Sequence, residues 1–361
     1  MAFDRTKPYN ALPPLPPKAE IETKAVLKKA IAAGRSLAEL KGLGYTIPDQ
    51  SMLVNTLVLQ EAQASSEIEN IITTNDALFR AITASVTTVD LATKEVLRYR
   101  QALWEGFNGL KKKPVLTTNL FIKIVQTIKE NSAAIRNRPG TVIGNPAKGV
   151  VIFTPPVGEV LLRKKLKELE SFIRANDPID PLVKLALIHY QFEAIHPFFD
   201  GNGRTGRIIN ILYLVNRGLL DLPVLYLSKY IIDRKSEYYR LLREVTEYGK
   251  WEPWILYILD AVETTATFTR QRILDIRGLL QQTIMLAKKN LPPRVYSKEL
   301  IELVFRQPYT KGQFLVEAGL AERKTAAVYL QELEKIGILK PTKVGKENLY
   351  LNEKLYKMLS K

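Results

Sequence analysis

The sequence predicts a mainly α protein: a helical core carrying one β-hairpin, an N-terminal helical region before it, and a C-terminal winged helix-turn-helix after it. Three observations predict this. Apolar residues recur at 3–4 spacing over most of the first 290 positions. The one strong β signal before position 300 is confined to Val142–Phe153. After Asn290 the pattern changes to short helical stretches followed by two strand-like runs. The 361 residues, 46% hydrophobic and 25% charged, have a globular composition with room for more than one core.

Pro8, Pro13, Pro14, Pro16 and Pro17 open the chain as an extended strap, since proline fixes φ and has no amide hydrogen. A ligand for a proline-binding module is one reading, and a strap on the protein's own surface is the preferred one. From Ala19 to Trp104 the periodicity is helical, with Ile21, Ala25, Leu27, Ala30 and Ile31 marking one stripe and Leu53, Leu57, Val58 and Ala62 another. Gly42, Gly44 and Pro48 punctuate the pair, and Lys111–Lys113 before Pro114 marks a boundary. A helix from Thr118 to Asn131 precedes the hairpin, in which Val142-Ile143 and Val150–Phe153 flank GNPAKG. Another helix spans Gly158 to Ala175. Asp180 and Pro181 then supply an N-cap and a first-turn proline. Leu182, Leu185, Ala186, His189, Phe192 and His196 share a face, and Pro197 stops that helix. The next helix begins near Arg204 and ends at Gly218, and helical pattern continues through Trp251 to Asn290. The boundaries expected are 1–113, a catalytic unit 114–262, a connecting helix 263–290, and a winged helix 291–361.

Composition excludes several chemistries. With no cysteine there is no disulfide, thiolate metal site or cysteine nucleophile. With only His189 and His196, zinc chemistry is disfavoured and histidine catalysis must use one of the two. No signal-like or membrane-spanning stretch is present, so the chain reads as cytoplasmic with no membrane partner. The net charge of +16 permits a polyphosphate or nucleic-acid partner without requiring one.

The chemistry concentrates in HPFFDGNGRTGR, residues 196–207. Gly201-Asn202-Gly203 can turn successive backbone N–H groups to one side, a nest for anions. The helix that follows adds its positive N-terminal dipole. Arg204 and Arg207, three apart, can both reach that anion. Asp200 offers one hard oxygen to Mg²⁺, and His196 titrates in the range suited to taking a proton from a hydroxyl. The expected ligand is a polyphosphate with a divalent metal, bound without the P-loop pattern. His189 reads as a buried structural residue.

These residues match HPFx[D/E]GNGRxxR at every fixed position, and the chain resembles the Fic (Fido) domain family. HYQFEAI, the hairpin, SEYYRLL, the strap and the C-terminal region extend the likeness over nearly the whole chain. The resemblance implies an adenylyltransferase that moves AMP from ATP to a Ser, Thr or Tyr hydroxyl of a target protein, with self-modification expected. His196 would be the base, Phe198 a core anchor, and Asp200 the Mg²⁺ ligand. Gly201, Asn202, Gly203, Arg204, Thr205, Gly206 and Arg207 would hold the phosphates. Tyr238 and Tyr239 would wall the adenine, and Thr246 stands where the family has an asparagine. The hairpin would be a flap that pairs with an extended target segment. SSEIEN fits a second family pattern, [S/T]xxxE[G/N], which implies that Ser65, Glu69 and Asn70 form an inhibitory motif in which Glu69 competes for Arg207.

Alternatives stay open at this point. Fic-like proteins also transfer phosphate, UMP or phosphocholine, or remove AMP; a glycine at 203 favours AMP over phosphate. A DNA-binding regulator is a third reading. Residues 288–361 hold 15 Lys/Arg against 8 Asp/Glu, a local excess of +7, with Lys324, Thr325 and Tyr329 on the expected recognition helix. A homodimer is also left open.

Overall fold

The computed structural model describes residues 3–44, 50–84, 88–145, 149–345 and 347–360. Pro48, and 146–148 of the hairpin turn, lie outside them, as does the side chain of Leu53. The architecture is mainly α. Helices α1 (Lys24–Gly44), α2 (Gln50–Ile68), α3 (Asn75–Thr83) and α4 (Leu91–Lys112) form the N-terminal region. Then come α5 (Thr118–Lys129), the antiparallel pair β1 (Ile143–Asn145) and β2 (Val150–Phe153), α6 (Glu159–Arg174), α7 (Pro181–Ile195) and α8 (Asn202–Asn216). Three more helices follow: α9 (Leu227–Asp233), α10 (Lys235–Tyr248) and α11 (Trp251–Asn290). The C-terminal module comprises α12 (Lys298–Leu303), β3 (Tyr309–Thr310), α13 (Gly312–Glu317), α14 (Arg323–Lys335), β4 (Lys340–Val344), β5 (Glu347–Leu351) and α15 (Glu353–Leu359). Its sheet order is β3-β5-β4, all antiparallel. No helix of the described residues is long and apolar enough to cross a membrane.

Capping sets several element ends. Asp180 accepts from the N–H groups of Leu182 (2.8 Å) and Val183 (3.4 Å), with Pro181 in the first turn of α7. Thr74, Asp90, Thr117 and Ser297 cap α3, α4, α5 and α12 in the same way. Helix α7 is the centre of the core: 13 of its 15 residues are buried, so it has no polar face.

Four expectations need correction. First, His196 does not continue the α7 stripe; it is the C-cap, with φ 49°, and turns away from that face. Second, α8 begins at Asn202 rather than near Arg204, because Gly201 at φ 83° makes the turn into it. Third, the connecting helix does not start at 263: α11 is one helix of 40 residues, with buried residues along its length from Trp254 to Ala287. Fourth, the buried stripe of α1 is Val26, Ala30, Ala33, Leu37 and Leu40, while Leu27 and Ile31 face solvent. The 4-3-4-3 spacing is the seam along which α1 lies on α11. Gly42 is passed within α1 rather than ending it. Strand β3, only two residues long, was not anticipated.

The proline-rich strap lies on the protein's own surface. Leu12 is buried, the Tyr9 amide donates to Thr154 O (3.0 Å), the Val157 amide to Asn10 Oδ1 (3.0 Å), and Gln191 Nε2 to Pro13 O (3.2 Å). In the C-terminal module Lys324 and Thr325 are exposed on α14, whereas Tyr329 turns its hydroxyl to Arg294 O at 2.9 Å.

Candidate active site

The loop between α7 and α8 is fixed from both sides. Arg136, buried and distant in sequence, donates from Nε to His196 O (2.7 Å) and from Nη2 to Pro156 O (2.5 Å) and Ile195 O (3.3 Å). It thereby satisfies carbonyls that the end of α7 leaves without helical partners. Asn202 closes the other side, accepting from Phe198 N–H (2.9 Å) and donating to Phe198 O (2.7 Å). Phe198 is buried beside Phe192. The Asn202 side chain is therefore a lock on the loop.

The two arginines take different partners. Arg204 is buried and bonds Glu95 of α4 at 2.5 Å, with Lys129 on the same carboxylate at 3.3 Å. Lys129 also holds Asp200 (2.6 Å), whose other oxygen accepts the Gly201 amide (2.6 Å). Arg207, equally buried, turns to α2: Nε donates to Ser65 Oγ, and Nη2 to Ser65 O and Glu69 Oε1, each at 2.8 Å. Glu69 sits just past the C-terminal end of α2, not within it. Asn70 makes the turn with φ 62°, a left-handed conformation that favours Gly or Asn and so explains that choice in the motif. Lys235 Nζ caps the end of α2 at Ile68 O (2.6 Å).

A cavity of about 610 Å³ opens onto this arrangement. Its lining includes the polar or charged residues Glu69, Asn70, Glu193, His196, Arg207, Lys235 and Arg243 with Gly203, and also Ile152, Phe153, Tyr239, Leu242 and Thr246. Tyr238 lines it too, buried, with its hydroxyl 2.9 Å from His189 Nε2. His189 stacks on Trp254 in the core. Of the residues expected at the ligand, Asp200, Gly201, Asn202, Arg204, Thr205 and Gly206 do not line this cavity, and Ser65 lies behind Arg207. Gly203 faces Glu69, and any Cβ there would overlap the Glu69 carboxylate. Gly206 likewise faces Glu193.

Burial dominates the electrostatics. It pushes His196 down to about 4, assisted by the charge of Arg136, so the imidazole is unprotonated at neutral pH. His189 falls to about 3 by burial and the charge of Arg207. Burial works to raise Glu69, but the charge and hydrogen bond of Arg207 outweigh it and hold the carboxyl below its usual value. Glu193 and Glu61, both enclosed, rise to about 7 by burial. Glu61 accepts from Tyr99 Oη (3.0 Å), Ser228 N (2.8 Å) and Ser228 Oγ (2.5 Å), tying α2 to α4 and α9.

Three family models match the chain: Fic/DOC family N-terminal over residues 27–108, Fic/DOC family over 115–214, and the C-terminal domain of SoFic-like protein adenylyltransferases over 279–355. The chain belongs to the Fic/DOC family. The Fic segment contains the whole His196–Arg207 loop, and the N-terminal segment contains Ser65, Glu69 and Asn70. Among curated relatives, the protein adenylyltransferase fic-1 of Caenorhabditis elegans is 32% identical over 115 residues, 31% of this chain and 21% of that protein. The protein adenylyltransferase Fic of Drosophila grimshawi is 34% identical over 112 residues, 30% of this chain and 22% of that protein. The chain thus spans about a fifth of the length of these relatives. A Fic family protein from Desulfovibrio desulfuricans shares the fold with a TM-score of 0.58 at 20% identity, covering 91% of this chain and 96% of that one. Fic-1 of C. elegans gives 0.51 at 18% identity, covering 72% and 75%.

Arg136, Glu95, Lys129, Glu61 and Lys235 surround this arrangement and are not singled out by the sequence, since each pairs across a long sequence separation that spacing does not reveal; Glu193, three residues before His196, is likewise not singled out.

Proposed function

We propose that this chain is a protein adenylyltransferase restrained by Glu69. The observation that carries the reading is the grip of Glu69 and Ser65 on Arg207, which lines the same cavity as His196. Triphosphate oxygens belong beside Arg207, where Lys235 and the start of α8 add positive potential. The base belongs among Tyr239, Leu242, Thr246 and Phe153.

Among the described residues no three His, Cys, Asp or Glu side chains gather as a metal group. Mg²⁺ would take one oxygen from Asp200 and the rest from phosphate and water, a donor set that suits this ion, and Lys129 would give up the Asp200 oxygen it now holds. When bound, the ion would neutralise phosphate charge. The target hydroxyl oxygen attacks the α-phosphorus, the bond to the bridging oxygen breaks, diphosphate leaves, and the hydroxyl proton passes to neutral His196. Val142, Val150 and Ile152 are exposed on the hairpin, as an edge that receives an extended target segment would need.

Incubating the Glu69→Gly variant with α-labelled ATP and Mg²⁺ is expected to label the enzyme or a target, with a mass gain of about 329 Da per site. His196→Ala in the same background abolishes the label. An unlabelled Glu69→Gly protein overturns the reading, and a gain of about 80 Da would assign phosphate transfer instead.

A further inference from the structure

The strap does more than cover core. It precedes the first family-matched segment, which begins at residue 27, yet its first described residue, Phe3, lines the cavity. Phe3 stacks on Phe153 of β2 (centroids 6.2 Å apart, planes at 18°) and meets Tyr9 edge-on at 5.2 Å, while Tyr9 is itself edge-on to Phe153. This aromatic trio is pinned on two sides. Toward the hairpin, Thr154 Oγ1 donates to Arg5 O (2.7 Å) and Tyr9 N–H to Thr154 O (3.0 Å). Toward α10, Arg5 Nε bonds Glu247 Oε1 at 2.8 Å. The strap therefore links the hairpin to α10, both of which line the cavity, and adds an aromatic ring there.

We propose that Phe3 is the third wall of the nucleobase pocket, which makes the strap an affinity element for the base of the nucleotide. This rests on the assignment of the cavity to a nucleoside triphosphate. The face of Phe3 supplies stacking surface, which any purine recognises strongly and which inorganic phosphate does not. Arg5 acts as a positioning residue that holds that face in place.

The test uses the full-length chain in the Glu69→Gly background, with calorimetric titration of ATP and of inorganic tripolyphosphate. Phe3→Ala is expected to weaken ATP about tenfold and to leave tripolyphosphate within about twofold. Phe3→Tyr should retain ATP affinity, and Arg5→Ala, which frees the strap without touching the ring, should weaken ATP part-way. Unchanged ATP affinity in Phe3→Ala overturns the wall alone, as does equal weakening of both ligands. A Glu69→Gly parent that binds neither ligand overturns the nucleotide reading, and the wall with it.

Discussion

Glu69→Gly should weaken the empty protein and strengthen its hold on ATP, and the two effects have different sizes. The Glu69 side chain is 34% exposed and its partner Arg207 only 1%. Breaking a fully buried ion pair costs about 3–5 kcal/mol, and an exposed one about 0–1 kcal/mol. Here one partner reaches solvent, and Ser65 still holds two Arg207 donors after the change, so the expected loss is about 1–2 kcal/mol. On the ligand side, the vacated donor forms a charge-assisted hydrogen bond to phosphate worth about 1.5–3 kcal/mol. That corresponds to an ATP affinity about ten- to a hundredfold higher. Melting curves should therefore cross: without ligand the variant unfolds a few degrees lower, and with saturating ATP and Mg²⁺ it gains more than the parent. Equal ATP dissociation constants in parent and variant would refute the competition between Glu69 and the nucleotide, whatever the melting curves show.

Further outcomes follow from the same geometry. Gly203→Ala should cost about 1–3 kcal/mol in the parent, because its Cβ meets the Glu69 carboxylate, and much less in the Glu69→Gly background; strictly additive losses would contradict that contact. Asn202→Ala strips both backbone groups of Phe198 of their partner and should cost about 2–4 kcal/mol in a denaturant titration; a loss under about 1 kcal/mol would mean the loop is held elsewhere. Glu61 is raised to about 7, so the folded state binds its proton more tightly than the unfolded chain does. The stability this contributes is complete below the ordinary carboxyl value and is lost as pH rises through about 7. Glu61→Gln should thus gain on the parent between pH 4.5 and 7. The depressed histidines act in the opposite direction in both proteins and cancel in the comparison. A pH-independent difference would place Glu61 in contact with water.

What could be read from the sequence was local. The Asp180-Pro181 start of α7, the limits of α6 and the second strand of the hairpin each depend on neighbours within a few residues and are where the sequence puts them, whereas the first strand runs from Ile143 through Gly144 and Asn145, residues that the turn-rich composition assigns to the turn. The His196–Arg207 segment could likewise be recognised as one loop and one helix start. What spacing could not decide was the partner of each side chain. Arg204 and Arg207 stand three apart and look equivalent, yet one faces α4 and pairs with Glu95, 109 residues away, while the other faces α2 and pairs with Glu69, 138 residues away. Asn202 is expected at phosphate through its backbone N–H and the family resemblance, and neither predicts that its side chain locks the Phe198 backbone. Arg136 carries no signal at all, since its role is to satisfy carbonyls that only the folded turn exposes.

The two glycines of α8 show why one carboxylate and not the other can be the brake. Gly203 and Gly206 lie three apart on one helical face, and each leaves space that a glutamate fills: Glu69 over Gly203, Glu193 over Gly206. Arg207 thus stands between two acidic groups, and a phosphate arriving there adds a third negative charge that cannot be accommodated beside both. Glu193 belongs to α7 and lines the same cavity, and burial raises its carboxyl to about 7, so it can become neutral without moving. Glu69 follows the last turn of α2, is a third exposed, and is kept ionised by Arg207 itself. On the proposed reading, Glu69 alone of the two has both the charge that opposes phosphate and the freedom to leave, so release would begin at the 68–70 turn, which is held by bonds from Lys235 Nζ to Ile68 O and from Arg207 Nε to Ser65 Oγ.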